Sequence, residues 1–264
     1  TLKGFHFKDR YNPEFNFMAN GSLSLSGNES FEAAIEGLDI NLLKKANLAD
    51  LDTMKGMLSS SLKIAGTSQK PLIDLHLSID SLNYRSLLIK QITSDLKMSR
   101  NSAQMDLLLL TIFNDSLSLS AKAPQQLKVD SMGVEYHFPG TISGRVRSTD
   151  MDLGVREAAN RGLTKIGGLL SFDLLFNGHY AHLIYKGRAL LKNGFYNDIK
   201  SGIYLNQVNS SISVDSNLVT LDSLNIGDVA NGLSASGWMS FDTTVVSGKV
   251  TDLNFALNTK SFSV

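Results

Sequence analysis

The side chains that could do chemistry are few and poorly spaced for it. His179 and His182 form the one close histidine pair. Three residues apart on a helix they could grip a metal ion, but they follow Asn177-Gly178, a turn signal, and no carboxylate stands at ligand spacing. Asp150 and Asp152 flank Met151 and could act as paired carboxylates, yet no further acid or base accompanies them in the sequence to define a reaction. Gly167-Gly168 opens a strand pattern instead of a helix, so it cannot cradle phosphate, and neither a nucleophile elbow nor a dinucleotide fingerprint occurs. The expectation is a protein that is not an enzyme and holds neither a metal nor a cofactor.

Bulk charge draws it to nothing in particular. The 264 residues carry 25 basic and 25 acidic side chains, which removes the electrostatic case for nucleic acid or acidic lipid. Absence of cysteine rules out disulfides and thiolate zinc sites and suits an oxidising envelope compartment. A hydrophobic share of 42% can bury a large apolar surface. The longest apolar run, Leu107 to Leu110 with Ile112 and Phe113, is far below the ~20 residues of a membrane helix. The chain begins at Thr1 without a charged-then-apolar leader, as expected of a processed protein or a fragment.

The elements that must position any site are strands. From Gly187 to Gly237 polar and apolar residues alternate in short runs broken by tight turns, with no helix. Val208, Ile212 and Val214 share one face; after the turn Asp215-Ser216-Asn217 the alternation passes Val219 and Leu221, slips phase at Asp222-Ser223, and resumes at Leu224 and Ile226. A meander opens the chain through residues 4–7, 14–17 and 22–26, with turns expected at Asn12-Pro13 and Asn20-Gly21. Two stretches, Asp39 to Lys55 and Asp152 to Ile166, fit the face of a short helix better, each packing on the sheet and followed by glycine and a strand.

The same unit occurs twice. Gln91-Ile92, Asp106 and Leu117 precede Gln207-Val208, Asp222 and Leu233 by 116 positions, while Gly56, Leu62 and Gly66 precede Gly168, Leu174 and Gly178 by 112. The four extra residues lie near Tyr84 and Tyr196. Residues 1–36 then read as a partial repeat, 37–150 as a first module and 151–264 as a second, in one continuous sheet.

Nearly every strand has one apolar side. Ile73, Leu75, Leu77 and Ile79 alternate with Asp74, His76, Ser78 and Asp80. Such a face must close over a second layer or a ligand, and with 8% aromatics its filling is mostly aliphatic. The recurring pattern of Leu62-Lys-Ile-Ala-Gly66, a spacer, then Pro71-Leu72, and of a final strand Leu233-Ser-Ala-Ser-Gly237, resembles the periplasmic repeats of the TamB and AsmA-like bacterial envelope proteins from about Leu43 to Val264.

That resemblance implies a mainly β fold: an elongated, curled sheet open along one side, the β-taco or open solenoid trough, with one or two short helices per repeat. It also implies a translocation-and-assembly-module type of role in outer-membrane biogenesis. The protein would be periplasmic and anchored in the inner membrane, and a hydrophobic groove would conduct phospholipid, its transported ligand, between the two membranes. Its partners would be phospholipid acyl chains and an outer-membrane barrel protein, with no nucleic acid. The expected groove lining is Leu62, Ile64, Ile73, Leu75, Leu77, Ile92, Leu96, Leu174, Phe176, Tyr185, Val208, Ile212, Leu253, Phe255 and Leu257. Two other readings fit the same strands: a scaffold that pairs an exposed strand edge with nascent barrel strands, and a β-helix adhesin filled by its own side chains.

Overall fold

The computed structural model describes residues 2–8, 15–22, 28–45, 54–67, 70–84, 87–111, 115–124, 126–130, 133–137, 140–154, 164–179, 182–198, 200–227, 232–242 and 249–260. Among them are seventeen strands and one helix. In chain order these are β1 Leu2–Lys8, β2 Asn16–Ser22, β3 Asn28–Asp39, α1 Ile40–Lys45, β4 Met54–Thr67, β5 Lys70–Tyr84, β6 Leu87–Ser99, β7 Ser102–Thr111 and β8 Ser116–Pro124. There follow β9 Gln126–Asp130, β10 Gly133–His137, β11 Ile142–Asp152, β12 Thr164–His179, β13 His182–Asp198, β14 Ile203–Asp215, β15 Leu218–Gly227, β16 Gly232–Asp242 and β17 Lys249–Lys260. Fifteen strands form one open sheet in sequence order; β9 and β10 pair separately as a hairpin. The fold is therefore all-β in substance, an antiparallel meander and not the coils of a closed β-helix.

Contacts divide the chain into two compact units, Thr1–Asn114 with Ser118–Ile142, and Asp115–Leu117 with Ser143–Val264. Each follows the same plan. The strands β4 and β5 begin 112 residues, give or take two, before β12 and β13, whereas β6 and β7 lie 116 before β14 and β15 at both ends. The additional four residues are shared between a longer strand and a longer connection: β5 ends at Tyr84 and β6 starts at Leu87, but β13 runs to Asp198 and β14 starts at Ile203.

Irregularities repeat as faithfully as the strands. The ladder slips between Lys55 and Met57 and again between Gly167 and Leu169, around Gly56 (φ 158°) and Gly168 (φ 122°), 112 residues apart. Across from these bulges Ser81 (φ 53°) and Asn193 (φ 51°) take the left-handed conformation at the same spacing. A Cβ at Gly168 would fall 2.6 Å from the Gly194 Cα, so only glycine fits there. The phase slip at Asp222-Ser223 is a bulge, the β15–β16 ladder jumping from Leu221 to Leu224.

The short helix plugs one end of the first unit. Asp39 caps it by accepting the Asn41 backbone N–H at 2.9 Å. Ile40, 3% exposed, packs with Leu82 and Ile89, and Met54, Leu58, Ile79, Ile92 and Leu109 close around that cluster.

Three sequence expectations need correction. Asn20-Gly21 is no turn: both residues lie within β2, paired to Glu32 and Phe31, and Gly21 is there because a Cβ would meet the Ser30 carbonyl at 2.0 Å. Of the helix expected over Asp39 to Lys55, the described residues form Ile40–Lys45, while Met54 and Lys55 instead pair with Tyr84 and Asn83 in the sheet and residues 46–53 lie outside the described residues. Over Asp152 to Ile166 the described residues hold a single 3₁₀ turn at Leu153-Gly154 before Thr164–Ile166 join β12. At the C-terminal end of both stretches, Met54–Lys55 and Thr164–Ile166, the available ladder outweighs a weak helical periodicity. The expected Asn12-Pro13 turn, and most of the strand expected at 22–26, lie outside the described residues.

Candidate functional site

Directly opposed residues in a ladder point to the same side of a sheet, so the register sorts every side chain to a face. In the first unit one row reads Phe5, Ala19, Ala33, Leu62, Leu75, Leu96 and Met105. The next row reads Phe31, Ile64, Ile73, Met98 and Ala103. Further rows set Leu77 beside Ser60 and Ser94, and Ile79 beside Leu58 and Ile92. All seven expected lining residues of this unit thus share one face, and none of the side chains named in these rows is charged.

The second unit repeats the arrangement. Its rows are Leu174, Gly187, Val214, Val219, Met239 and Leu253; then Phe172, Ala189, Ile212, Leu221, Gly237 and Phe255; then Leu170, Leu191, Ser210, Leu224, Ala235 and Leu257. Phe176 opposes Tyr185, and Val208 opposes Gly194. The eight expected residues of this unit again lie on one face. Where a row contains glycine, the opposite side chain leans over it: Leu174 over Gly187, and the Phe255 ring over Gly237.

These faces are only partly covered. Among the described residues just four hydrophobic side chains are buried, Ala19, Ile40, Leu82 and Ile89. Leu62, Ile64, Ile73, Leu75, Leu77, Leu96, Leu174, Phe176, Val208 and Ile212 are half-buried. Tyr185, Leu253, Phe255 and Leu257 are 44 to 64% exposed. Ile92, also half-buried, packs against the cluster of Ile40, Leu82 and Ile89. The sequence reading missed the aromatic end of this face, where Phe5 meets Phe17 edge-on at 5.8 Å and Phe7 meets Phe15 at 6.0 Å. The alternation Phe5-His6-Phe7 and Phe15-Asn16-Phe17 was the signal for it.

The opposite face carries the charged side chains, which pair with one another, together with exposed apolar ones: Met18, Leu72, Leu175 and Ile184 are 39 to 56% exposed there. Glu32, Lys63, Asp74 and Lys97 alternate in charge along one row. Glu32 bonds Lys63 at 2.9 Å and, with Asp74 adding, holds that ammonium above its ordinary pKa. His76 Nδ1 meets Asp95 at 2.8 Å. In the second unit Arg145 grips Asp173 with two bonds, Nε to Oδ1 at 2.6 Å, and keeps the carboxyl below the usual range. Ser211 and Ser213 both donate to Asp222, at 3.0 and 2.9 Å.

A groove of about 690 Å³ crosses β1 to β6 and takes three successive residues from each strand, such as Ser61-Leu62-Lys63 and Asp74-Leu75-His76. Its lining does not extend to Ile64, Ile73 or Leu77, the next side chains on the apolar face. By alternation it therefore runs along the opposite face, between the row of Glu32, Lys63, Asp74 and Lys97 and the mixed row of Met18, Ala34, Ser61, His76 and Asp95, with the backbone at Leu62, Leu75 and Leu96 as its floor. Within each wall neighbouring side chains pair, Glu32 with Lys63 and Asp95 with His76.

The residues singled out for chemistry are occupied elsewhere. His179 and His182 face each other across the β12–β13 hairpin, both exposed. Asp150 accepts from Ser171 Oγ at 2.8 Å, while Asp152 caps the 3₁₀ turn through the Gly154 N–H, also at 2.8 Å. Among the described residues no cluster of three metal-ligating side chains occurs, and no helix is long and apolar enough to cross a membrane. No protein-family model, no curated protein and no solved structure matches this chain.

Proposed function

We propose that this chain is a segment of an envelope protein that carries phospholipid acyl chains along the apolar face of its sheet. The supporting observation is the contrast between the length of uncharged apolar rows in each unit and the four buried hydrophobic residues among those described. Soluble monomers rarely leave contiguous apolar surface of that extent bare, so an occupant is required. Residues of this kind offer an acyl chain about 0.8 kcal/mol per buried methylene and no fixed point of attachment. Headgroups remain in water at the strand ends, and transfer is passive, driven by the supply of lipid at one end.

The resemblance of the repeats to the TamB and AsmA-like group supports a periplasmic location, an inner-membrane anchor elsewhere in the protein and an outer-membrane barrel partner. Organic extraction of the purified chain tests the reading: phospholipid in a non-integer ratio is expected, since an open face has no set site number. A chain that stays soluble and monomeric with no lipid bound, and takes none from vesicles, would rule the reading out.

A further inference from the structure

We propose that the α1 plug sets how deep an acyl chain lies on the first unit's apolar face, its methyl end toward the plug and its phosphate at the opposite strand ends, beside Arg100. The inference rests on the lipid reading above and adds to it a direction and a length.

The face is closed at one end of its strands and open at the other. Leu58, Ile79, Ile92 and Leu109 oppose one another across β4 to β7, and all four pack against the cluster of Ile40, Leu82 and Ile89. An acyl chain running along the strands meets side chains at that row and stops. At the other end Gly66 pairs with Pro71 and β6 turns into β7 at Arg100-Asn101, while α1 is the one helix among the described residues. Between the covered row and that end lie the rows of Leu77, Leu75 and Ile73. From Leu77 to Pro71 the strand advances six residues, or ~20 Å. With carbon–carbon bonds of about 1.5 Å an extended chain rises roughly 1.25 Å per methylene, so about sixteen carbons fill that depth. Movement across the strands stays free; the plug fixes depth alone.

Charge at the open end suits a phosphate. Arg100 follows Leu96 and Met98 in the alternation of β6, which brings an exposed guanidinium to the end of an apolar row. Among the described residues it has no carboxylate partner, unlike Lys63 or Arg145. Lys70, at the start of β5, is a second exposed cation at this end. From β3 to β7 the one carboxylate among the described residues of this end is Glu29, three strand spacings or ~14 Å from Arg100. A guanidinium can hold a phosphate through two parallel N–H donors. The corresponding turn of the second unit, between β14 and β15, has Ser216 in place of Arg100, so this contact is particular to the first unit.

Whole-chain variants with a single dye test the proposal, since the protein has no cysteine of its own. Leu88→Cys places the dye at the plug end of β6, and Asn101→Cys at the open end. A lysophospholipid with a nitroxide at its chain terminus should quench the dye at position 88 more strongly, and one with the nitroxide on its headgroup the dye at position 101. Titrated through the dye at position 101, affinity should rise about fourfold per added methylene and level off near sixteen carbons. Arg100→Glu should weaken the lysophospholipid by about fivefold and leave an uncharged monoacylglycerol of the same chain unchanged. Reversed or equal quenching, affinity that climbs through twenty-two carbons, or an Arg100→Glu chain that binds both lipids as wild type does, overturns this inference and leaves the lipid reading standing. A chain that binds no lysophospholipid of any length overturns both.

Discussion

The substitution Leu75→Arg separates an open apolar face from a closed core. Leu75 sits mid-strand between Leu62 and Leu96 and is half-buried. Full burial of a leucine contributes roughly 1.5–3 kcal/mol, and Leu75 has most of its surface covered, so about 1–2.5 kcal/mol is at stake. An arginine on an open face carries its charge to water along its apolar stem and recovers part of that loss. In a closed core the unpaired charge would cost on the order of 4 kcal/mol or more and unfold a marginal protein. Occupancy responds differently. Displacing about three methylenes at ~0.8 kcal/mol each weakens acyl-chain binding by about 2.4 kcal/mol, roughly fifty-fold. His76→Arg is the control, because His76 lies on the polar face and its partner Asp95 accepts an arginine equally well. Urea unfolding and extracted lipid are measured for wild type and both variants. Expected are a small stability loss with strongly reduced lipid for Leu75→Arg and no change for His76→Arg. Outright unfolding by Leu75→Arg, or equal lipid in all three, refutes the reasoning.

Ile40→Ala removes the centre of the α1 plug and should cost about 2–4 kcal/mol in urea unfolding, with lipid retained. Gly168→Ala should destabilise by about 2 kcal/mol or more, since its Cβ would meet the Gly194 Cα at 2.6 Å; Gly56→Ala should cost less, its nearest neighbour being the Asp80 carbonyl at 3.2 Å. Asp173 titrates below its ordinary value through its bonds to Arg145. Its contribution is present above the ordinary carboxylate pKa and disappears as pH falls through the depressed one. In Arg145→Gln the midpoint, followed by carboxyl NMR, should rise toward 3.8.

Strand periodicity and the internal offsets were legible in the sequence because each side chain's face is decided by parity, a strictly local property. The bulge at Asp222-Ser223 was visible for the same reason, as a break in parity. Asn20-Gly21 misled because the residues that make a hairpin turn also permit close strand approach, and only the position of the Ser30 carbonyl distinguishes them. The ends of the two expected helices misled because a few apolar residues at helical spacing say nothing of whether a neighbouring strand offers Met54 or Ile166 a ladder. The common face of Leu62, Leu75 and Leu96 followed from alternation, but the packing of Ile92 against the cluster of Ile40, Leu82 and Ile89 did not, since it depends on contacts from a distant segment.

Photo-crosslinking along β5 tests the central claim most directly. A benzophenone side chain is placed in turn at Ile73, Asp74, Leu75, His76 and Leu77, and phospholipid with labelled acyl chains is supplied. The expected adducts form at Ile73, Leu75 and Leu77, the apolar face, and not at Asp74 or His76. Adducts at the polar positions, or none at any position under conditions where the chain holds lipid, would contradict the account.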